Sequence, residues 1–189
     1  MRSYKNIAIT LLAAGVLALS GCADSGNSVD LPSDKPATTD EAGDKEDKAA
    51  GTRENPYPIG STVKGKEWDV TINSVTLDAT AAVMAENQFN DPPGEGQQYA
   101  LVNITVTYTG TDSSTPWTTI KYVGADGSTS SGSDSFAVAP EAFDSLTELY
   151  QGGTATGNIV LQVPTEAPET GVLSVEPDMM GDKSFVAVQ

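Results

Sequence analysis

Histidine is absent from the 189-residue chain, and cysteine occurs once, as Cys22. Without an imidazole there is no His-based general base, no Ser-His-Asp triad and no His metal ligand. A single thiol makes neither an internal disulfide nor a multi-thiolate metal site. Cations are scarce as well: 10 Lys and Arg stand against 26 Asp and Glu, a formal charge of −16. That balance disfavours nucleic acid and anionic headgroups as partners, because each phosphate contact calls for a Lys or Arg. Long apolar runs are also missing. Ile7 to Leu19 spans 13 residues, short of the ~20 that a spanning helix needs.

Residues 1–21 have the layout of a signal peptide, with Arg2 and Lys5 as the positive n-region and Ile7 to Leu19 as the apolar h-region. Leu19-Ser20-Gly21-Cys22 follows at once. This tetrapeptide resembles the lipobox of bacterial lipoproteins. The resemblance implies that the Cys22 thiol takes a diacylglycerol, that cleavage precedes Cys22, and that the new amine is acylated, with palmitate-type chains. Cys22 is thus the expected lipidation site, and the mature protein is expected on the outer face of the cell membrane. Several acyl chains at ~0.8 kcal/mol per buried methylene make such an anchor stable. Residues 22–55 then read as the lipidated Cys and an acidic, disordered tether. Val29 and Leu31 are its only large apolar side chains, and nine acids outnumber four bases, too little apolar surface to offset chain entropy.

From Pro56 onward strand patterns dominate, so residues 56–189 are the expected folded domain. Lys66 to Leu77 alternates Trp68, Val70 and Ile72 with Glu67, Asp69 and Thr71. Gln98 to Thr109 puts Ala100, Val102, Ile104, Val106 and Tyr108 on one face. Trp117 to Val123 ends at Asp126-Gly127, a hairpin signal, and Gly157 to Val163 sets Ile159, Leu161 and Val163 on one face. Shorter strands are expected at Thr62–Lys64, Phe136–Ala139, Val172–Glu176 and Ser184–Val188. Pro140 to Tyr150 spaces Phe143, Leu146 and Tyr150 for one or two helical turns behind a Pro suited to a first turn. Ala79 to Glu86 is a second candidate, as helix, strand edge or loop. The fold class expected is all-β: an antiparallel sandwich of about seven strands with one short helical segment.

Two stretches carry a family resemblance. Tyr99-Ala100-Leu101-Val102-Asn103-Ile104-Thr105-Val106-Thr107-Tyr108 is similar to the central strand of an uncharacterised domain of Gram-positive lipoproteins. Gly152-Gly153-Thr154-Ala155-Thr156-Gly157-Asn158-Ile159-Val160-Leu161-Gln162-Val163-Pro164 resembles its Gly-rich turn and the strand that follows. The family is telokin-like, an immunoglobulin-like sandwich akin to a secreted mycobacterial immunogenic protein. The resemblance implies that fold over roughly residues 53–189. It carries no catalytic residues, and Leu161 stands where the family often has Phe.

Candidate sites are few. Asp126-Gly127-Ser128 with Asp134, or Asp178 with Asp182, offers oxygen ligands. Neither matches the twelve-residue calcium loop, and Asp in Gly/Ser loops chiefly forms turns. No metal or cofactor is expected. Glu141 and Glu148 are the carboxylates available to a hydrolase, although acids on a short helix ordinarily mark its solvated face. Asn103-Ile104-Thr105 matches a glycosylation sequon but falls inside a strand. Trp68 shares its face with Val70 and Ile72 and belongs to the core; Trp117, beside a Thr/Pro turn, is the more open platform. The function expected is a non-enzymatic surface module that binds a protein, peptide or cell-wall component and no nucleic acid. The alternative is a cell-envelope hydrolase using carboxylates alone. Residues 56–189 hold four bases and 17 acids (4 − 17 = −13), a field that attracts cationic or polar partners. The loops around Gly124–Ser135 and Glu86–Gln98 are the favoured contact regions, with an exposed sheet edge as the remaining candidate.

Overall fold

The computed structural model describes residues 28–32 and 50–189. The expected signal peptide, Cys22 and residues 33–49 of the expected tether lie outside the described residues. Two sheets pack face to face. In the first, β1 (Val29–Asp30), β2 (Thr62–Lys64), β3 (Trp68–Thr76), β4 (Gln97–Tyr108) and β9 (Thr154–Pro164) follow the order β1-β2-β3-β4-β9. In the second, β6 (Thr119–Val123), β7 (Thr129–Ser131), β10 (Val172–Glu176) and β11 (Ser184–Ala187) follow the order β11-β10-β6-β7. A small pair, β5 (Ser113–Ser114) and β8 (Leu149–Tyr150), lies apart from both. All strand pairings are antiparallel. The described residues form an all-β sandwich with one α-helix, α1 (Thr80–Glu86).

The alternation read from the sequence sets the packing. Ala100, Val102, Ile104, Val106 and Tyr108 of β4 are buried with Val63, Val70 and Ile72 on one side and Leu161 and Val163 on the other. Ile120, Leu173, Val175 and Val186 of the second sheet close this layer. Trp68 is 2% exposed, and its ring lies 4.7 Å from that of Tyr108 at a 45° tilt. Period 2 holds along β3 until the register shifts between Ile72 and Ser74. This bulge lets Val75 and Leu77, on odd positions, return to the core. The side chain of Asn73, at the bulge, donates from Nδ2 to Asn103 Oδ1 and Thr105 Oγ1, both at 2.9 Å.

The outer face of the first sheet is divided. Half is polar: Thr105 Oγ1 meets Thr156 Oγ1 at 2.8 Å, and Asn103 Nδ2 donates to Asn158 Oδ1 at 2.8 Å. The other half carries a second apolar cluster, Ala79, Val83, Tyr99, Ala139 and Val160. Helix α1 covers it. Asn90 is the buried clamp: its Nδ2 donates to Val83 O (2.6 Å) and Val138 O (2.9 Å), and its Oδ1 accepts from Val138 N (2.8 Å).

Three expectations need correction. Pro140 to Tyr150 is not helical: Glu141 sits at φ 47, Ala142 bridges Asn158, and the Asp144 carboxylate accepts from Leu146 N and Thr147 Oγ1. Local side-chain bonds outcompete the helix, and Leu146 and Tyr150 stay exposed. The helix forms instead at Thr80–Glu86, where Val83 has a core to enter. Phe136–Ala139 is no strand, and Phe136 is fully exposed. The folded unit also reaches N-terminally of Pro56. Val29 pairs with Val63, Phe185 N donates to Gly51 O, and Arg53 Nη2 donates to Gly124 O.

Ile104→Ala should lower unfolding free energy by ~2–5 kcal/mol, and Thr105→Ala, on the opposite face, by less than ~1 kcal/mol. Equal losses in denaturant titrations would mean that β4 faces the other way. Asn90→Ala strips three partners from a buried clamp and should cost about 1–3 kcal/mol, read in the same titration.

Candidate functional site

Strand β9 is an edge of the first sheet, and its outer side is only partly paired. Phe143 N donates to Asn158 O, and Asn158 N to Glu141 O, each at 2.9 Å. Four residues further along β9, Ser130 of β7 accepts from Gln162 N at 3.1 Å. Val160 lies between these, and by strand alternation its amide and carbonyl turn to the same edge. A cleft of about 590 Å³ opens here. Its apolar walls include Ile120, Val138 and Phe143, and its polar groups include Thr118, Ser133 and Asn158.

Gly157 sets the depth of this cleft. A Cβ on it would come within 2.5 Å of Phe143 Cα and 2.6 Å of Phe143 N, so only glycine admits the bridge that carries Phe143 against β9. Asn158 is fixed from both sides: it accepts from Asn103 and donates from Nδ2 to Pro140 O at 2.7 Å. No Asp, Glu, Lys, Arg or Tyr lines the cleft. Hydroxyls, one amide and apolar walls can hydrogen-bond and pack against a ligand; they offer no proton donor of carboxylic or ammonium type.

The carboxylates singled out by sequence lie elsewhere. Asp126 accepts from Ser128 Oγ (2.6 Å) and Ser128 N (2.9 Å), closing the β6–β7 hairpin in which Gly127 adopts φ 87. The Ser128 hydroxyl, above all, holds this carboxyl below the ordinary Asp range. Asp134 accepts from Ser131 N at 2.6 Å. Asp178 accepts from Lys66 N (2.6 Å) and Glu67 N (3.2 Å), tying the loop that also contains Asp182 to the β2–β3 turn. These acids are turn locks. Among the described residues no group of three or more His, Cys, Asp or Glu is placed to hold a metal ion. Glu148 accepts from Ser113 Oγ at 2.6 Å, whereas Glu141 belongs to the bridge beside Asn158. Asn103 is absorbed in the sheet-face hydrogen bonds. Trp117 is 57% exposed. Cys22 lies outside the described residues.

Of the favoured loops, Ser131–Ser133 forms a wall of the cleft and Glu86–Gln98 does not line it. The cleft lies on a sheet edge, the second kind of surface expected, although no particular edge is singled out by the sequence. Its one sequence signal is Val160, an apolar residue on the supposedly outer face of β9.

The family model for a domain of unknown function (DUF4352) matches residues 57–185. The chain belongs to that family. Among solved structures it is similar to an uncharacterised β-sandwich protein from Clostridium difficile 630, at 14% identity over 79% of this chain and 100% of that one, TM-score 0.46. It is similar to the secreted protein MPT63 of Mycobacterium tuberculosis, at 16% identity over 69% and 95% of the two chains, TM-score 0.47. A conserved hypothetical protein from Bacillus anthracis is similar at 14% identity over 68% and 94%, TM-score 0.41. No curated protein matches the chain. The resemblance drawn from the two motif stretches therefore holds in its coarser form, an uncharacterised β-sandwich domain. Among the described residues no helix is long and apolar enough to cross a membrane.

Gly157→Ala should force β9 and the 141–143 bridge apart, costing roughly 1–3 kcal/mol by overpacking. Loss of amide-exchange protection at Asn158 and Phe143, with β4 still protected, is the expected signature.

Proposed function

We propose that this DUF4352 chain is a lipoprotein of the cell surface, held to the outer face of the membrane through Cys22, and that its sandwich is a non-catalytic binding module. The anchor rests on Leu19-Ser20-Gly21-Cys22 behind the apolar stretch Ile7 to Leu19. The binding role rests on one observation above all: the β9-edge cleft is lined by apolar, hydroxyl and amide groups with no titratable side chain. Such a site suits an uncharged, hydrogen-bonding segment of a protein, peptide or wall component, taken up by surface complementarity. Glu141 and Glu148 do not line the cleft. A carboxylate-only hydrolase would need two acids flanking one scissile bond, so the binding reading is the better supported.

Mass spectrometry of the native protein should find Cys22 N-terminal and acylated, and Cys22→Ser should release the protein or leave its precursor. A free thiol at Cys22 contradicts the anchor. For the cleft, crosslinking on intact cells should capture a partner with the wild-type chain. Ser133→Trp, which fills the cleft from an exposed position, should weaken that capture about tenfold, or ~1.4 kcal/mol, without lowering the melting temperature. Undiminished capture refutes the assignment of the cleft.

A further inference from the structure

The polarity of β1 decides which end of the sandwich the N-terminal chain leaves from. Lys64 N donates to Ser28 O at 2.9 Å, while Asp30 stands opposite Thr62. Read backwards from Asp30 to Ser28, the chain thus heads toward the turn at Gly65–Glu67. The strand is held there by Val29, which packs on the main core, and by the ion pair between Asp30 and Lys64 Nζ at 2.7 Å. The Asp30 carboxylate accepts a hydrogen bond from that ammonium and holds the Lys64 pKa above its ordinary value.

The same end gathers three of the exposed large apolar side chains around one cleft. The Asp178 carboxylate, bound to Lys66 N and Glu67 N, pins the loop of residues 177–183 to this turn. Thr109 N donates to Glu67 O at 2.8 Å, bringing in the segment after β4. Between them opens a cleft of about 470 Å³ whose lining includes Trp117, Met179 and Met180. These three are 57%, 64% and 93% exposed. A clustered Trp-Met-Met surface is costly to leave in water and ordinarily marks a contact site. Trp favours the headgroup level of a bilayer, and Met adapts to irregular apolar surroundings.

We propose that this end of the sandwich is a membrane-contact face, with Trp117, Met179 and Met180 seated in the surface of the bilayer to which the chain is tethered. The proposal rests on the Cys22 anchor argued above and adds an orientation to it. From Cys22 to Ser28 there are six residue steps, which span at most about 20 Å when fully extended. A lipid at Cys22 therefore keeps the Gly65–Glu67 end within that distance of the headgroups as long as β1 is paired. The reach of a 33-residue tether is not available to the folded domain. Charge does not drive the contact: Lys66 lines the cleft, but so do Glu67 and Asp178, and the domain as a whole is acidic. The occupant is accordingly a neutral lipid surface rather than an anionic one.

The sole thiol makes a test possible without native lipidation. The chain from Cys22 to Gln189, which contains every described residue, is coupled through Cys22 to a maleimide-bearing lipid in phosphatidylcholine vesicles with brominated acyl chains. Trp117 emission should shift to the blue and be quenched relative to the uncoupled protein, and Trp117→Phe should abolish the quenchable component, leaving buried Trp68. Met179→Ser with Met180→Ser should relieve the quenching. Asp30→Pro, which removes from the β1–β2 ladder the amide that faces Thr62 and also removes the ion pair with Lys64, should free β1, lengthen the tether and relieve the quenching as well. Coupled protein whose Trp117 emission matches that in solution overturns the proposal. So does a blue shift that depends on protein concentration without vesicles, since a second copy would then be the occupant. Quenching of the coupled protein together with a free Cys22 thiol in the native protein would sink the anchor alone, and the contact face would stand as a lipid-binding surface.

Discussion

Burial of alternate side chains of β4 between the two sheets is the interaction on which the rest of the structure depends. With no cystine to restrict the unfolded chain, the folded state is held by apolar burial and the hydrogen-bond ladder. Strand β4, the longest among the described residues at 12, pairs along nearly its whole length with β9 and from Leu101 to Tyr108 with β3. Its inward face builds the main core. Its outward face begins with Tyr99, which anchors the second cluster under α1, and continues into the Asn and Thr hydrogen bonds. One strand thus supports a dry interface, a helix-covered patch and a polar surface, according to residue parity.

A sheet this open must manage its edges, because unpaired N–H and C=O groups invite foreign strands. At the β2 edge the short strand β1 does this, and at the β11 edge residues 51–57 do so, through Tyr57 N to Phe185 O and Ala187 N to Tyr57 O, both at 2.8 Å. The β9 edge is guarded from two sides, by the 141–143 bridge and by the Ser130 hydroxyl, and the guards do not meet. The uncharged cleft is that gap. Its position follows from edge protection by two separate loops, and its chemistry from the Ala, Val, Ser and Thr residues those loops contain.

The β9-edge cleft and the chain's point of departure are distinct places on the sandwich, and the cleft reaches toward the second only through Pro116 and Thr118, which flank Trp117. The N-terminal chain leaves toward the Gly65–Glu67 end, beside Trp117 and the two methionines, whereas the cleft lies along the flank where β9 faces β7. An anchored domain seated by that end would leave the Gly124–Ser128 hairpin, at the opposite end of β6, open to the medium. Asp126 and Asp134 brace individual turns and line neither of these two clefts, whereas Asp178 both braces its turn and lines the cleft beside Trp117.

Alternation alone, in the sequence, determined the strands with one buried face: Val102, Ile104 and Val106, or Leu161 and Val163, permit no other parity in a half-buried strand. Asp126-Gly127 likewise specified its hairpin, since the turn's chemistry is local. The lipobox-like tetrapeptide is legible for the same reason, as a contiguous signal. Tertiary structure decided what depends on partners distant in the chain. Pro140 to Tyr150 has helical spacing, yet Asn158 supplies the backbone and side-chain bonds that unwind it. Ala79 to Glu86 is locally ambiguous until Tyr99 and Val160 provide an apolar surface to cover. Val29 and Asp30 read as tether because two residues cannot form a strand alone; β2 offers the edge, the ion pair and the core contact that order them. The cleft and the Trp-Met-Met face were illegible for that reason, being assembled from segments whose proximity exists only after the sheets have packed.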